Sequence, residues 1–213
     1  MNKLFVKVTN LSPMLLSSGE GWGSTIDNDI VVDSFGLPFF PAKRFKGLVR
    51  ESALEVQEIL HSPNFTEKEV DILFGREGDN ESMLIFNDLH IREYKNTRNW
   101  LNYFQQSNNM MQISREEILD TYTSVIVRTS IDPDGIAKQN SLRTLRVLNA
   151  NFSFYGEIES KGNNPDLHMV ALALKNLKSA GTNRNRGLGK ISISIYGDDN
   201  FTQVFPIKKE MLQ

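Results

Sequence analysis

Hydrophobic and polar residues alternate in three separate stretches of the chain, and a period of two is typical of strands with one buried face. The alternating stretches begin at Leu4, at Phe152 and at Ile191. A mostly apolar run from Leu84 to Ile91 predicts a fourth strand. These four segments are expected to form the sheet of the protein.

Two other stretches carry hydrophobic residues at helical spacing, which produces one apolar face. The first begins after Pro41 and continues to about Leu60. It cannot begin earlier, because Pro38 and Pro41 favour extended backbone in the residues that precede them. The second extends from Leu167 to Leu177. The order strand, helix, strand, strand, helix, strand predicts an α+β, ferredoxin-like (RRM-like) βαββαβ core, whose open sheet face often binds RNA. We expect residues 1–213 to form a single domain.

The segment from 93 to 150 is then an insertion between the second and third core strands. Its second half predicts a β-hairpin, with Val125–Ile131 as one arm, turn residues at 132–135, and Leu142–Val147 as the return arm. The amide-rich residues 93–113 show no clear periodicity.

Two capping-box patterns predict short helices outside the core. Thr66 is followed three residues later by Glu69, and Ser114 is followed by Glu117 in the same way. In this pattern the two side chains satisfy backbone N–H groups at the start of a helix.

The composition narrows the class of protein. The chain has 213 residues, of which 39% are hydrophobic and 23% charged, and its formal net charge is −2, so nucleic-acid binding would depend on local basic patches. The absence of cysteine excludes a disulfide framework, a thiolate zinc site and a cysteine nucleophile. The three histidines, His61, His90 and His168, are too far apart in sequence to indicate a transition-metal cluster. Without a long apolar run or a signal-peptide core, we expect a cytoplasmic protein with no membrane contact.

The first predicted helix carries one such basic patch. Successive residues turn by about 100°, so Lys43, Lys46 and Arg50 fall on a strip nearly opposite the apolar face. Gly47 lies beside this strip, and a glycine inside a helix costs about 1 kcal/mol relative to alanine, which suggests close approach by a ligand. Arg44 and the positively polarised helix start add to a surface suited to a phosphate backbone. The alternative is an ordinary solvated charged face.

A glycine-rich basic loop before the last strand is the second patch. Its cations and glycines would present guanidinium and backbone N–H groups to phosphates together, and they are Gly181, Arg184, Arg186, Gly187, Gly189 and Lys190. In the ferredoxin-like order the first helix and the last strand come close, so we expect Lys46 and Arg186 to border one groove. The alternative is a flexible surface hairpin.

An acidic segment lies within a glycine-punctuated loop from Ser17 to Asp33. Asp27 and Asp29 are candidates for chemistry, because carboxylates near RNA phosphates are unfavourable unless they bind a metal or act on a ribose 2′-OH. The alternative is that these aspartates only form turns.

The inserted hairpin has basic residues on an apolar framework, namely Arg128, Lys138, Arg143 and Arg146. An arm of this composition is suited to contact nucleic acid or a neighbouring subunit. The alternative is a decorated hairpin without a special role.

Four segments, in this order and over most of the chain, resemble segments of one family. They are GLPFFPAKRFKGLVRESA, LFGREGDNESMLIFNDLHI, VRTSIDPDGIAKQNSLRTLRVLNANFSFYGEI and SAGTNRNRGLGKISI. They resemble, in turn, the lysine-bearing helix, the L-F-G motif with a short strand, the thumb and the terminal glycine-rich loop of the RAMP superfamily of CRISPR-associated proteins. The pattern is most similar to the backbone subunit of type III effector complexes.

The resemblance implies binding to crRNA and target RNA, and assembly with other CRISPR effector subunits as several copies or paralogues in a filament. Lys46 and Arg50 match the family's lysine helix, which grips the guide backbone together with the glycine loop. The arm from Arg128 to Arg146, with Ile131, matches the thumb that breaks the guide–target duplex at regular intervals. Asp27 matches an aspartate that cuts target RNA with a divalent metal, so Mg²⁺ or Mn²⁺ is the implied cofactor.

The chain departs from the family pattern at Ala42–Arg44, where glycine-serine-serine is usual, at Arg146, where the thumb has glutamate, and at residues 93–113, which have no counterpart. Two alternatives therefore stay open. One is a RAMP endoribonuclease that processes precursor crRNA without metal, although such enzymes commonly use a histidine near the N-terminus and the first one here is His61. The other is a non-catalytic subunit that caps or bridges the filament.

Overall fold

An antiparallel sheet is the frame of the molecule, seen in a computed structural model that describes residues 2–19, 25–61, 65–76, 82–106, 113–161 and 167–207. The strands are β1 (Lys3–Asn10), β2 (Phe39–Phe40), β3 (Leu84–Phe86), β4 (Leu89–Ile91), β5 (Thr123–Arg128), β6 (Arg143–Leu148), β7 (Ser153–Ser160) and β8 (Ile191–Tyr196). The helices are α1 (Ala42–Leu60), α2 (Glu67–Phe74), α3 (Tyr94–Gln106), α4 (Arg115–Tyr122) and α5 (Leu167–Asn176), with a 3₁₀ turn at Arg184–Arg186. In this described part of the chain, none of the helices has the length and apolar character that crossing a membrane requires.

The sheet has the strand order β2-β4-β7-β1-β8, with β3 also paired to β7. Leu4, Val6 and Val8 of β1 are fully buried, as the alternating pattern predicts. The apolar faces of α1 and α5 join the same core. When β3 and β4 are taken as one edge strand, this arrangement is a ferredoxin-like βαββαβ fold, so the predicted fold class is confirmed.

The predicted strand Leu84–Ile91 is broken in the middle, which corrects the sequence-based expectation. β3 and β4 both pair with β7, but the pairing stops between them. Gly156 of β7 lies opposite the break, where a Cβ atom would overlap the Leu89 side chain. The Asp88 carboxylate turns to the start of α1 and accepts a hydrogen bond from the Ala42 N–H at 2.7 Å. The positive end of this helix is therefore already paired with a carboxylate of the protein.

Both predicted capping boxes are present. The Thr66 N–H donates to Glu69 Oε2 at 2.6 Å, and the Ser114 N–H donates to Glu117 Oε2 at 2.7 Å. These bonds set the starts of α2 and α4. Residues 94–106, where we predict no regular element, form α3.

The sheet face opposite the core carries a group of aromatic rings. Phe201, from the segment after β8, has its ring centroid 5.0 Å from that of Tyr155 and 5.6 Å from that of Tyr196. Phe5 joins the group at 6.1 Å. This part of the RRM-like face is covered by the protein's own C-terminal segment rather than open to a ligand.

Candidate nucleic-acid interface

A groove runs between α1 and the loop that precedes β8. It consists of two concavities of about 450 and 680 Å³, which are continuous because Glu51, Gly181 and Thr182 line both. We call this surface the glycine groove, and its residues are Leu15, Leu16, Ser17, Gly19, Phe40, Arg44, Gly47, Leu48, Glu51, Ser179, Gly181, Thr182, Asn183, Arg184, Asn185 and Arg186. The Thr182 N–H donates to the Leu15 carbonyl at 2.9 Å, which holds two parts of the wall together.

Lys46 and Arg50 do not face the glycine groove, which corrects the expectation that they border it. Lys46 Nζ donates to Ser82 Oγ at 2.8 Å, and Arg50 Nη2 lies 2.7 Å from the Asp71 carboxylate of α2. Partial burial lowers the pKa of Lys46, and the nearby charge of Lys161 adds to this effect. Helical spacing predicts that this strip is exposed to solvent. It contains no information that α2 packs along the same side of α1. Their contact with RNA stays a prediction.

Arg44 and Gly47 are two of the residues of α1 that face the groove. Both are exposed and line it, and Arg44 lies about 160° around the helix from Lys46 at the normal helical turn. A Cβ atom at Gly47 would meet no heavy atom within 4 Å. The open surface predicted at Gly47 is therefore present. Lys43 is exposed on the side of Lys46.

The three glycines of the loop before β8 differ in whether close packing excludes a side chain at their position. Gly181 has a φ of +86°, and a Cβ atom there would lie 2.5 Å from the Leu15 carbonyl oxygen. Gly189 has a φ of +75°, and a Cβ atom there would overlap the Ala180 carbonyl. Gly187 also has a positive φ, of +80°, but faces open space. Packing and backbone conformation therefore require the first two, and only Gly187 leaves room for a ligand.

Arg184 and Arg186 are exposed cations at the edge of the groove. Arg184 Nη1 lies 3.6 Å from Glu51 Oε2, and both side chains are exposed, so this ion pair contributes about 1 kcal/mol or less. Arg184 can therefore exchange Glu51 for a phosphate at little cost. Arg128 of the hairpin donates to the Arg186 carbonyl at 3.2 Å, which joins the hairpin to the groove. Lys190 is exposed at the end of the loop.

The hairpin predicted in the insertion is present. β5 and β6 pair along their whole length, and Ile131 forms a bridge with Ala137 near the tip. Ile131 is 68% exposed, and Lys138 and Arg143 are exposed as well. The arm thus presents apolar and basic side chains to its surroundings, while its contacts with RNA or a neighbour stay a prediction.

Arg146 belongs to the interior beside the hairpin base, which corrects its assignment to the exposed arm. Its side chain is 11% exposed, with Nε 3.3 Å from Asp29 Oδ1 and Nη1 2.9 Å from Asp120 Oδ1. Asp29 is equally buried, and its carboxylate also accepts the Ile30 N–H at 2.7 Å. Asp29 is therefore a structural partner of Arg146 and is not presented to a ligand.

Asp27 is exposed at the base of the hairpin. The Thr144 N–H donates to Asp27 Oδ2 at 2.7 Å, and the Asp27 N–H donates to the Thr144 carbonyl at 2.9 Å. These two bonds set the position of the carboxylate. Within the described ranges no three His, Asp or Glu side chains come together as a metal site. Among the described residues Asp27 therefore supplies a single carboxylate, and one carboxylate is too few protein donors for a resident Mg²⁺ or Mn²⁺. The metal stays a prediction.

Two parts of this surface have only weak signals in the sequence. Leu15 and Leu16 form part of the groove wall, and Glu51 is the exchangeable partner of an arginine. A short apolar run after a strand and a glutamate on a helix are both too common to indicate a binding site. Residues 20–24 of the glycine-punctuated loop lie outside the described residues.

The chain is similar to known proteins in its family pattern and in its fold. A family model described as the RAMP superfamily matches residues 7–192. A search among curated proteins gave no significant match. A chain in the cryo-EM structure of type III-B Cmr-beta bound to cognate target RNA aligns with a TM-score of 0.67 and 12% identity, covering 92% of this chain and 97% of that one. A chain of type III-B Cmr-beta in the apo state aligns with a TM-score of 0.66 and 13% identity, covering 92% and 98%.

Proposed function

The chain belongs to the RAMP superfamily, and from this premise we propose that it is a crRNA-binding subunit of a type III-like CRISPR effector complex. The observation that carries the proposal is the glycine groove, which has exposed Arg44, Arg184 and Arg186 along its length and Gly47 on its wall, where no side chain blocks access. Guanidinium groups bind phosphate oxygens, and a glycine lets the ribose-phosphate chain approach closely. The fold likeness to Cmr-beta, in one case bound to target RNA, supports the same assignment.

The partners proposed for this subunit follow from the same premise. It stacks with other effector subunits, as several copies or as paralogues, along the crRNA in a cytoplasmic filament, and target RNA pairs with that guide. The hairpin arm, with Ile131 near its tip, interrupts the guide–target duplex. The bond from Arg128 to the Arg186 carbonyl supports this role, because it joins the arm to the groove.

Removal of the groove arginines tests the binding proposal. We expect Arg184→Gln/Arg186→Gln to weaken binding of a single-stranded guide RNA by about tenfold per arginine, since each loses a charge-assisted hydrogen bond. The slope of log affinity against log salt should fall in magnitude by about 1.4, because each phosphate contact on a single strand contributes about 0.7. Fluorescence anisotropy at several salt concentrations measures both quantities.

The matched control for this experiment is Lys3→Gln/Lys68→Gln, which removes the same charge from β1 and α2. We expect it to leave the affinity and the salt slope close to those of the wild type. An equal loss in both double variants would show that net charge, rather than the groove, determines binding. No binding of guide RNA by the wild type would overturn the proposal itself.

Gly47→Ala is expected to separate stability from binding. Alanine should raise the free energy of unfolding by about 0.5–1 kcal/mol, because Gly47 lies inside α1 and its Cβ position is open. The same methyl group would stand on the groove surface, so guide affinity should fall. Thermal unfolding and RNA titration measure the two effects, with Ile59→Ala, farther along the helix, as the control. A more stable variant with unchanged affinity would contradict close approach of RNA at Gly47.

We also propose that Asp27 takes part in cutting target RNA, because it is exposed and held in position while Asp29 is buried against Arg146. In this step Asp27 accepts the proton of a ribose 2′-OH, and the 2′-oxygen attacks the neighbouring phosphorus. The 5′-oxygen of the next nucleotide leaves with a proton from water, which produces a 2′,3′-cyclic phosphate. The described donors do not fit a resident metal ion, and the proton transfer to Asp27 requires none.

The geometry gives less support to a processing endoribonuclease. His61 ends α1 ten residues beyond Glu51, which places it roughly 15 Å along the helix from the groove. Metal-free cleavage of repeat RNA by the isolated chain would nevertheless favour that alternative. A non-catalytic assembly subunit is the outcome if target cleavage does not depend on Asp27.

A further inference from the structure

Helix α3 carries an aromatic surface that the glycine groove does not use. Trp100 is 61% exposed and Tyr103 is 58% exposed. The ring centroids of Trp100 and Phe104 are 6.1 Å apart with an interplanar angle of 28°, and Tyr103 meets Trp100 edge-on at 6.2 Å. Asn96 and Asn99 line, with the two exposed rings, a concavity of about 680 Å³. Large aromatic side chains that are exposed together indicate a binding surface.

The charge and polarity of α3 favour single-stranded nucleic acid as the occupant. The helix contains Lys95 and Arg98 and no aspartate or glutamate. Of its amides, Asn96 and Asn99 line the concavity and can hydrogen-bond to the edges of bases. Glu93 is the one carboxylate among the residues that line the concavity, and it lies just before the helix. Lys95 lies one turn from Asn99 and borders the aromatic surface, whereas Arg98 faces Phe35. Exposed aromatic rings with a neighbouring cation are typical of surfaces on which unpaired bases stack.

The position of α3 makes it continuous with the loop that carries the proposed cleavage residue. Tyr94 Oη donates to Asp33 Oδ2 at 3.0 Å, and the Arg98 guanidinium lies 5.6 Å from the centre of the Phe35 ring. Asp33 and Phe35 belong to the chain segment that follows Asp27 toward α1. These contacts hold one side of α3 against that segment, and at the normal helical turn Trp100 lies about 160° around the helix from Arg98, on the outer side.

We propose that Trp100 and Tyr103 form a stacking platform for the bases of a single-stranded RNA segment. This inference rests on the proposed function as an RNA-binding subunit. The platform binds without strong sequence preference, because every base has a π-face for stacking. The amides of Asn96 and Asn99 lie on the same face of α3 and contact base edges.

Tryptophan fluorescence tests stacking directly. The chain has two tryptophans, Trp22 and Trp100, so a Trp22→Phe background reports Trp100 alone. Oligouridine is expected to quench this fluorescence, because a base stacked on the indole ring offers a path for quenching. Inorganic polyphosphate of similar charge is expected to leave it unchanged. Equal quenching by both polyanions, or by neither, would overturn the platform.

Affinity provides the second readout. We expect Trp100→Ala/Tyr103→Ala to weaken oligouridine binding by about tenfold or more, given the usual effect of removing stacking aromatics. Trp100→Phe/Tyr103→Phe keeps both rings and should stay within about threefold of the wild type, as judged from the same stacking range. Gln105→Ala, a neutral change at an exposed position on the same helix, should have no effect.

The outcomes distinguish this inference from the proposed function. If Trp100→Ala/Tyr103→Ala keeps wild-type affinity while the loss of Arg184 and Arg186 weakens it, the platform is wrong and the groove stands. If the wild type binds no RNA, both are wrong. If the aromatic variant changes self-association in sedimentation velocity but not RNA binding, α3 is a protein interface and the platform is wrong.

Discussion

Asp27→Asn is expected to slow cleavage of target RNA by an assembled effector complex by about 10²–10⁴-fold, because a positioned general base contributes that much to a rate. Asparagine has nearly the same shape, and its side-chain oxygen can still accept the Thr144 N–H. The fold and the affinity for guide RNA should therefore stay unchanged. Single-turnover cleavage of a labelled complementary RNA measures the rate, and a 2′,3′-cyclic phosphate at the new end identifies the reaction.

The control for this experiment is Asp134→Asn, which removes an exposed carboxylate from the hairpin tip. We expect it to cleave at the wild-type rate. An unchanged rate in Asp27→Asn would remove the catalytic role and favour a non-catalytic assembly subunit. EDTA adds a separate comparison, because cleavage that persists with EDTA supports Asp27 acting without a metal ion. Loss of cleavage with EDTA would require a metal held largely by RNA phosphates and water.

Arg146→Met is expected to lower the free energy of unfolding by about 3–5 kcal/mol, the usual cost of breaking a buried ion pair. The reason is that Asp29, whose side chain is 10% exposed, would remain buried after losing its cation. Methionine fills much of the volume of the arginine stem, so the loss should come mainly from the unpaired charge. Denaturation by urea, followed by circular dichroism, measures the change.

Two comparisons identify the cause of that loss. Arg146→Met/Asp29→Asn removes both charges and should recover most of the stability, since neutral replacements of a buried ion pair are often tolerated. Lys3→Met breaks exposed ion pairs with Glu157 and Glu159 and should cost about 1 kcal/mol or less. A loss at Arg146 no larger than the loss at Lys3 would show that the buried pair has little effect on stability.

Local signals predicted the elements well, because each depends on residues that are close in sequence. The alternation in β1 needs neighbours one and two positions away, and the capping boxes at Thr66 and Ser114 need neighbours three positions away. Prolines before α1 and the turn at 132–135 act within a few residues. The helix α3 was not predicted, because amides and cations separate its aromatic residues along the sequence, although Trp100, Tyr103 and Phe104 lie at helical spacing.

The candidate site was predicted only in part. Gly47 is open, and Arg184 and Arg186 are exposed at the groove, as the glycine-basic pattern suggested. Lys46 and Arg146 were placed on exposed surfaces, although one donates to Ser82 and the other pairs with a buried aspartate. Helical and strand periods indicate on which side of its own element a side chain lies. They contain no information about whether another element packs against that side.

The amino-acid sequence by itself therefore determined the fold class, the order of the core elements and the family to which the chain belongs. These properties follow from periodicity, from turn and cap residues and from motifs in register along the chain. Only the tertiary structure decided which cations remain available to a ligand. Arg50 pairs with a carboxylate of α2, and Asp29 pairs with an arginine of β6. The N–H at the start of α1 donates to Asp88. Each partner comes from a distant part of the chain. Charges are paired through space, so their availability depends on the docking of whole elements rather than on neighbours in sequence.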